Sequence, residues 1–221
     1  NINLVIKTGQ NISSNIINND ILQNDININN KHSFDLIFFD LPNSIHNIIH
    51  ASCCKKIKQL KLRGTKSEPL LLQLVMLSLN KNGRAILIVP DALLYSDSVQ
   101  PIETRKYLLE NYNVKKIIQI DESLTSKGNK NSILYFENNG PTSSIEFSKI
   151  VLNNSIIKED KIINIDIETL KTNIYNLNYK SYLNIKTNDE IKASAVACNS
   201  KIFIGSIVVF GYFLFCFFSN F

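Results

Sequence analysis

The sequence predicts an α/β fold with a doubly wound sheet that carries an antiparallel hairpin at one edge. Two largely apolar runs of strand length, residues 34–39 (apart from Asp35) and 85–89, are typical of strands covered on both faces. Helical periodicity fills the interval between them. A short link containing Gly128 joins two further strand-like runs, residues 116–120 and 132–136, and indicates the antiparallel pair.

Two amphipathic helices are predicted between these strands. The first covers residues 67–79, where Ser67 is expected to cap the helix and Pro69 lies in its first turn. The Asn-Gly pair at 82–83 is expected to end it. The second helix covers residues 101–112. Strands that alternate with helices and finish in a hairpin are the pattern of an α/β sheet with an antiparallel edge.

The two ends of the chain are less regular. Residues 1–33 mix Asn and Ile without a clear period, and a short strand is predicted at 16–18. Strands near 145–150 and 161–167 indicate an extension or connector and not a second core. We therefore divide the chain into a main α/β unit at 1–148, a connector at 149–185 and an irregular segment at 186–221.

Composition limits the class of protein more than its function. The chain has 221 residues, of which 44% are hydrophobic and 19% are charged, so it can bury a core. Its net charge of +5 is spread along the sequence and allows a nucleic-acid or anionic-membrane partner without requiring one. Four irregularly spaced cysteines, two of them adjacent at Cys53 and Cys54, indicate reduced thiols in an intracellular protein.

Residues 202–218 form an apolar tail without a charged residue. About 20 helical residues cross a bilayer core, so a membrane anchor is one interpretation of this tail. The run is broken by Gly205 and Gly211. A buried pair of strands, or a non-native C-terminus read past a frameshift, are the other two interpretations.

A short polar turn, Asp40-Leu41-Pro42-Asn43, follows the first apolar run. Ligands of open α/β sheets bind beyond the carboxyl ends of the strands, so this turn is a candidate site. Asp40 can accept a hydrogen bond from an amine, and the rigid turn around Pro42 can present main-chain carbonyls. An Asp-x-Pro turn after a strand is also common as a purely structural feature.

This turn resembles the Asp/Asn-Pro-Pro-aromatic turn of amino-methyltransferases, and other stretches resemble, in order, the type I restriction-modification adenine-N6 DNA methylase family. Residues 79–91 are similar to the family's Leu-x-x-x-Gly-Gly-Arg turn, strand and Pro-Asp-Gly loop, with Asp91 in that loop or simply capping the next turn. Residues 131–136 resemble its Thr-x-Ile-Leu-Phe-Phe strand, and 175–183 its Ser-Leu-Asn-x-x-x-Tyr connector. The resemblance covers about 18–140 and 175–183.

The resemblance implies a Rossmann-like methyltransferase sheet and a set of catalytic residues. Asp40 would hold the target amine, Pro42 would shape the turn, and Asn43 stands where the family has Phe or Tyr. Leu41 stands where the family has its first Pro. Because an exocyclic amine is a poor nucleophile, a site that methylates it needs a hydrogen-bond acceptor, an orienting carbonyl and usually an aromatic face for the extruded base.

The implied cofactor is S-adenosylmethionine. Asp20 matches the acid of the family's Gly-Asp-x-Leu turn, which lies near the adenine of the cofactor, although an Asp in an Asn-rich loop can equally cap its own turn. No Gly-x-Gly loop follows a strand before Asp20, and the family places that loop upstream. The chain is therefore expected to be an N-terminally truncated member, with residues 1–148 as the C-terminal part of a catalytic domain.

The implied partners are DNA and either a specificity subunit or the missing N-terminal half. Cations between the Asp40 turn and the next helix are candidates for contacts to DNA phosphates, or for a solvated basic loop. They are Lys55, Lys56, Lys58, Lys61, Arg63 and Lys66. His46, His50, Cys53 and Cys54 carry metal-binding atoms, but no second ligand pair follows, so no metal is predicted.

Three function hypotheses remain at this stage. The first is a partial S-adenosylmethionine-dependent adenine-N6 DNA methyltransferase. The second is a catalytically inactive relative that serves as a DNA-binding or scaffold protein, which Leu41, Asn43 and the absent glycine loop favour. The third is a membrane-tethered interaction protein, which depends on residues 202–218 alone.

Overall fold

The computed structural model describes residues 20–23, 33–42, 48–60, 62, 64–121, 124, 130–153 and 156–183. In this part of the chain one sheet of six strands forms in the order β1-β2-β4-β3-β5-β6. The strands are β1 (Phe34–Asp40), β2 (Leu79–Pro90), β3 (Asn113–Ile120), β4 (Asn131–Glu137), β5 (Ser144–Asn153) and β6 (Ile156–Asp166). The helices are α1 (Lys55–Gln59), α2 (Ser67–Ser78), α3 (Asp91–Tyr95), α4 (Val99–Asn111) and α5 (Ile167–Thr172).

The sheet is mixed, and its strand directions confirm the predicted α/β fold. β1 pairs with β2 in parallel, and β3 pairs with β5 in parallel. β4 is antiparallel to both β2 and β3 and lies between them. The predicted hairpin is therefore β3 and β4, and it lies inside the sheet because β5 and β6 add beyond β3. β1, β2, β3 and β5 all point in the same direction.

The main core lies between the sheet and helices α2 and α4. Both helices connect strands that run in one direction, and they bury apolar side chains such as Leu70 and Leu108, each 0% exposed. The hydroxyl of Tyr112 donates a hydrogen bond to the carbonyl oxygen of Met76 at 2.7 Å, and the Tyr112 ring meets the Phe136 ring edge-on. These contacts fix the end of α2 against the start of β3.

β1 is an edge strand, and the prediction that its run is covered on both faces is wrong. Leu36 and Phe38 are 51% and 40% exposed. Their strand pairs with β2 on one side and has no other partner among the described strands. Leu36 and Phe38 lie on the same face of the sheet, because alternate residues of a strand do, and an apolar run cannot reveal whether another layer covers that face.

The start of α2 differs from the prediction that Ser67 caps it. Ser67 is the first residue of the helix and is fully buried, while Lys66 occupies the capping position without a side-chain cap. The amide of Gln100 contacts the main chain of Lys66 instead, accepting from its N–H and donating to its carbonyl oxygen, each at 3.2 Å. Pro69 lies in the first turn, as predicted.

The Asn-Gly pair at 82–83 makes a bend inside β2 and does not end α2. The helix ends at Ser78, and β2 begins at the next residue. Asn82 has a φ of 63°, and its N–H donates to the carbonyl oxygen of Asn138 at 2.7 Å. A Cβ added at Gly83 would lie 3.0 Å from the carbonyl oxygen of Phe34, so the close approach of β1 favours glycine here.

The chain after residue 140 extends the same sheet. The strands predicted near 145–150 and 161–167 are found as β5 and β6, and the division placed at residue 148 falls inside β5. Lys116 on β3 bridges Glu146 on β5 and Glu159 on β6, at 2.8 and 2.6 Å. This ion network joins the extension to the central strands.

The strand predicted at 16–18 and the apolar tail at 202–218 lie outside the described residues. Among the helices that the structure describes, none combines the length and the apolar composition needed to cross a bilayer.

Candidate active site

The carboxyl ends of the parallel strands meet at one edge of the sheet, which we call the carboxyl edge. Asp40 ends β1, Pro90 ends β2 and Ile120 ends β3 at this edge. Asp40 is paired with Ile88 in the ladder between β1 and β2. The sequence-predicted turn therefore begins where open α/β sheets bind their ligands.

Asp40 is the candidate acceptor for a substrate amine. The residue is exposed, so a ligand can reach it. The surrounding protein nevertheless removes part of the water around its carboxyl group, and this desolvation raises the pKa of Asp40 above its ordinary value. A carboxylate with a raised pKa attracts a proton or a hydrogen-bond donor more strongly than a fully solvated one does.

Leu41 and Pro42 play different parts in the turn. Leu41 is 3% exposed, and its N–H donates to the carbonyl oxygen of Ile88 at 2.9 Å, which continues the strand ladder by one residue. Proline has no N–H and could not make this bond. Pro42 is exposed. Asn43 lies outside the described residues, so its predicted place in the site stays a prediction.

Asp20, the predicted cofactor residue, organises a tight turn. Its carboxylate accepts a hydrogen bond from the N–H of Leu22 at 3.0 Å, as the capping interpretation requires. The carbonyl oxygen of Leu22 in turn accepts from the N–H of Cys54 at 2.6 Å, just before α1. Asp20 is exposed, and Ile21 beside it lines an apolar groove of about 280 Å³ along the open edge of β1. Its contact with a cofactor stays a prediction.

The predicted DNA-binding cations are dispersed. Lys55 and Lys58 are exposed on α1, whereas Lys56 donates from Nζ to the hydroxyl of Ser78 at the end of α2. Lys66 lies at the other end of α2. Because α2 has 12 residues, Lys66 and the Ser78 end of the helix, which Lys56 contacts, are separated by about 18 Å along the helix axis. Lys61 and Arg63 lie outside the described residues, and a DNA-binding role for the set stays a prediction.

The His and Cys residues do not form a metal site in the described part of the chain. Within the ranges that the structure describes, no group of three or more potential ligands comes together. Cys53 and Cys54 are buried free thiols, and the Cys53 thiol faces the carbonyl oxygen of Ile49 at 3.8 Å. His46 lies outside the described residues.

Sequence reasoning missed a second cluster at the carboxyl edge. Asp91 is 6% exposed, and its carboxylate accepts from the Ser132 hydroxyl at 2.6 Å and from the Gln119 amide at 3.4 Å. It therefore links β2, β3 and β4 and does not cap α3. The Pro-Asp pair after a buried strand was a usable signal for this position, but its partners lie 28 and 41 residues further along the chain.

Comparison with known proteins identifies the family. The family model described as N-6 DNA Methylase matches residues 1–162. No curated protein is similar enough to match. A crystal structure of the type I restriction-modification methyltransferase subunit from Streptococcus thermophilus is 16% identical, with a TM-score of 0.56. The matched region covers 72% of this chain and 40% of the Streptococcus thermophilus chain.

Two further structures are similar. One, described as the basis of complex assembly and conformational transition of the type I R-M system, is 14% identical with a TM-score of 0.55, covering 85% of this chain and 44% of its own. The other is a modification subunit of a putative type I restriction enzyme from Vibrio vulnificus YJ016, 23% identical with a TM-score of 0.48. It covers 57% of this chain and 27% of its own.

The two structures with TM-scores above one half share the fold of this chain, and the chain spans less than half the length of each. The family model covers well over half of the 221 residues, including the Asp40 turn and the Asp91 cluster. The chain belongs to the N-6 DNA methylase family.

Proposed function

We propose that this chain forms part of an S-adenosylmethionine-dependent methyltransferase that methylates the exocyclic N6 amine of adenine in DNA. The observation that carries the proposal is the position of Asp40, an exposed carboxyl group with a raised pKa at the carboxyl end of β1. Family membership supports the reaction class. The Streptococcus thermophilus neighbour is itself named as a type I restriction-modification methyltransferase subunit.

The proposed chemistry is a direct transfer of the methyl group from the cofactor sulfonium to the amine nitrogen. The amine needs its lone pair drawn out of conjugation with the ring, and a carboxylate that accepts its N–H promotes this change. Asp40, at the end of β1, would be that acceptor. Pro42 would hold the turn rigid so that a main-chain carbonyl orients the nitrogen, and Asn43 would occupy the face on which the family has an aromatic ring.

The described residues fit one part of the cofactor. Asp20 is an exposed acid beside the apolar groove that Ile21 and Phe39 line, which suits the ribose and adenine of S-adenosylmethionine. When bound, this cofactor supplies the methyl group. No glycine loop that would hold its methionine part occurs within the described ranges. We therefore propose a partner, either an upstream half of the domain or a second subunit, to complete the pocket.

DNA is the proposed substrate, and a specificity subunit is a further proposed partner. The excess of positive charge, +5 overall, favours a polyanionic partner. Among the predicted cations, Lys66 lies at the N-terminus of α2, and Lys55 and Lys58 project from α1 into solvent. One of the two similar structures with a TM-score above one half is described by the complex assembly of the type I R-M system, so subunits associate in that system.

The proposal is tested by methyl transfer from radiolabelled S-adenosylmethionine to adenine-containing DNA. We expect incorporation by the chain supplied with its completing partner, and loss of about two orders of magnitude or more in Asp40→Ala. Asp160→Asn changes a half-exposed acid on β6 that pairs with Lys158; it is the matched control and should keep full activity. Incorporation that is equal in Asp40→Ala and the unmodified chain would contradict the proposed role.

A catalytically inactive, DNA-binding relative is the second candidate. The observation that favours it is Leu41, which is buried and hydrogen-bonded, so that this position serves the stability of the sheet. Asn43→Tyr restores the family's aromatic residue and separates the candidates. Methylation that appears only in Asn43→Tyr would assign the natural chain to the inactive class.

A further inference from the structure

A cavity of about 290 Å³ lies at the carboxyl edge, apart from the Asp40 turn. It is enclosed by α3, the ends of β3 and β4, part of β5 and the 3-10 turn Tyr179–Tyr182. Its size is at the lower limit for small-molecule sites, which suits one nucleoside-sized group. The proposed methyl transfer assigns no role to it.

The floor of the cavity is a buried carboxylate with acceptor capacity to spare. The hydroxyl of Tyr179 donates to Gln119 Oε1 at 3.1 Å, and Gln119 Nε2 contacts Asp91 Oδ2 at 3.4 Å. Ser132 donates to the other oxygen, Oδ1, at 2.6 Å. Ser132 and Gln119 therefore both donate to Asp91, and the contact from Gln119 to Oδ2 is long for a hydrogen bond. A ligand N–H directed at Oδ2 would complete the hydrogen bonding of the Asp91 carboxylate.

The rim of the cavity is cationic and aromatic. Lys130 and Lys180 line the cavity and are exposed, and the ammonium group of Lys180 is available to an anion at its mouth. No ion pair of Lys180 occurs within the described ranges. Tyr95 and Tyr179 also line the cavity, and aromatic side chains of this kind can stack on a base.

The walls are held in place before any ligand binds. The N–H of Leu177 donates to the carbonyl oxygen of Leu94 at 2.9 Å, which fixes the connector to α3. The N–H of Asp91 donates to the carbonyl oxygen of Lys130 at 2.9 Å. A preformed cavity binds its ligand without an additional cost for ordering the protein.

We infer that this cavity binds one nucleotide of the DNA strand, with the base inside against Asp91 and Tyr179 and the phosphate at Lys180 on the rim. This inference rests on the proposed function for its choice of DNA as the ligand. Three strand spacings separate Asp40 from Gln119, or about 14 Å. That span corresponds to about four steps along one strand of B-DNA, so the nucleotide lies near the methylated base but is not that base.

The test measures binding of two probes to the full chain, deoxyadenosine monophosphate and deoxyribose phosphate, by saturation-transfer NMR. Lys180→Met should weaken binding of the nucleotide by about fivefold or more. Lys158→Met, which removes an exposed lysine on β6 outside the cavity, is the matched control and should leave it unchanged. The nucleotide should bind better than deoxyribose phosphate, because only the nucleotide carries a base.

A second variant tests the base contact. Asp91→Asn should reduce the preference for the nucleotide over deoxyribose phosphate, and a circular dichroism spectrum confirms that the variant folds. Equal binding of the two probes, or equal effects of Lys180→Met and Lys158→Met, would overturn the inference.

Asp40→Ala separates this inference from the proposed function. Nucleotide binding at the cavity should persist in Asp40→Ala even when methyl transfer is lost. If methyl transfer depends on Asp40 while Lys180→Met has no effect on nucleotide binding, the proposed function stands and the cavity inference fails. If nucleotide binding depends on Lys180 but no methyl transfer occurs, the cavity inference stands and the proposed function fails.

Discussion

The buried guanidinium of Arg105 on α4 donates from Nε to the carbonyl oxygen of Tyr175 at 2.8 Å, across 70 residues of sequence. Arg105 is 1% exposed, and its other nitrogens donate to the carbonyl oxygens of Leu93 and Ser96. Burial lowers its pKa to about 10. One side chain thus connects α3, α4 and the connector that closes the Asp91 cavity.

Arg105→Met should undock the connector. The substitution leaves one buried and two partly buried carbonyl groups without their donor, and we expect a loss of about 3 kcal/mol of unfolding free energy. Urea denaturation measures this loss, and limited proteolysis should cut the connector near Tyr175 faster than in the unmodified chain. Lys106→Met, at the next residue of the same helix, is the control. A connector as resistant to protease in Arg105→Met as in Lys106→Met would show that Arg105 does not hold it.

Leu41→Pro should destabilise the fold even though it restores the family's residue. The change removes the hydrogen bond from Leu41 to Ile88 and part of a buried side chain, at a cost of about 2–4 kcal/mol. Thermal or urea unfolding checks the prediction. Pro42→Ala at the exposed neighbouring position should cost far less. If Leu41→Pro unfolds at the same denaturant concentration as the unmodified chain, the ladder bond is unimportant.

Glu146 should stabilise the sheet extension in a pH-dependent way. Partial burial alone would raise its pKa, but hydrogen bonds from Lys116 and Lys161 outweigh this effect and lower the pKa below the ordinary 4.5. The stabilisation is therefore complete above pH 4.5 and is lost as the pH falls through the lower folded-state pKa. Glu146→Gln should be less stable by about 1 kcal/mol at neutral pH.

Urea denaturation at several pH values tests this sign. The difference between the unmodified chain and Glu146→Gln should shrink as the pH is lowered below 4.5. Glu168→Gln removes an exposed acid paired with Lys171 and serves as the control. A difference that grows toward acid pH would mean that the sign is wrong.

Tyr112→Phe should weaken the contact between α2 and β3. The hydroxyl donates to Met76, and its removal should cost about 1 kcal/mol at neutral pH. Burial raises the pKa of Tyr112 to about 12. Because the folded state favours the neutral phenol, this stabilisation is present below pH 10 and is lost as the pH rises toward 12.

Two measurements check the Tyr112 prediction. Unfolding in urea at neutral pH gives the cost, with the more exposed Tyr95→Phe as the control. Alkaline absorbance titration should show that Tyr112→Phe lacks one late-ionising tyrosine. An unchanged titration curve would contradict the buried hydrogen bond.

Local pattern was enough to predict most of the central elements. The apolar runs at 85–89, 116–120 and 132–136 became parts of β2, β3 and β4, and the helical periodicity at 101–112 became α4. These signals depend on residues that are close together in sequence. The position of β1 at the open edge could not be predicted in this way, because sheet order depends on pairing between distant segments.

The site was predicted unevenly for the same reason. Asp40 was found because it directly follows a strand, and the structure places it at the carboxyl edge. The roles of Asp91 and Arg105 were missed because their partners lie up to 41 and 70 residues away. The catalytic role of Asp40 and the cofactor contact of Asp20 stay predictions.

Binding of S-adenosylmethionine tests the central claim most directly, since every proposed step of methyl transfer requires it. Isothermal titration of the chain together with its completing partner should give saturable heat with a dissociation constant of micromolar order. Asp20→Asn, which keeps the capping oxygen but removes the charge, should weaken binding by about tenfold. No heat with the cofactor at millimolar concentration would contradict the claim that this chain helps to form a methyltransferase site.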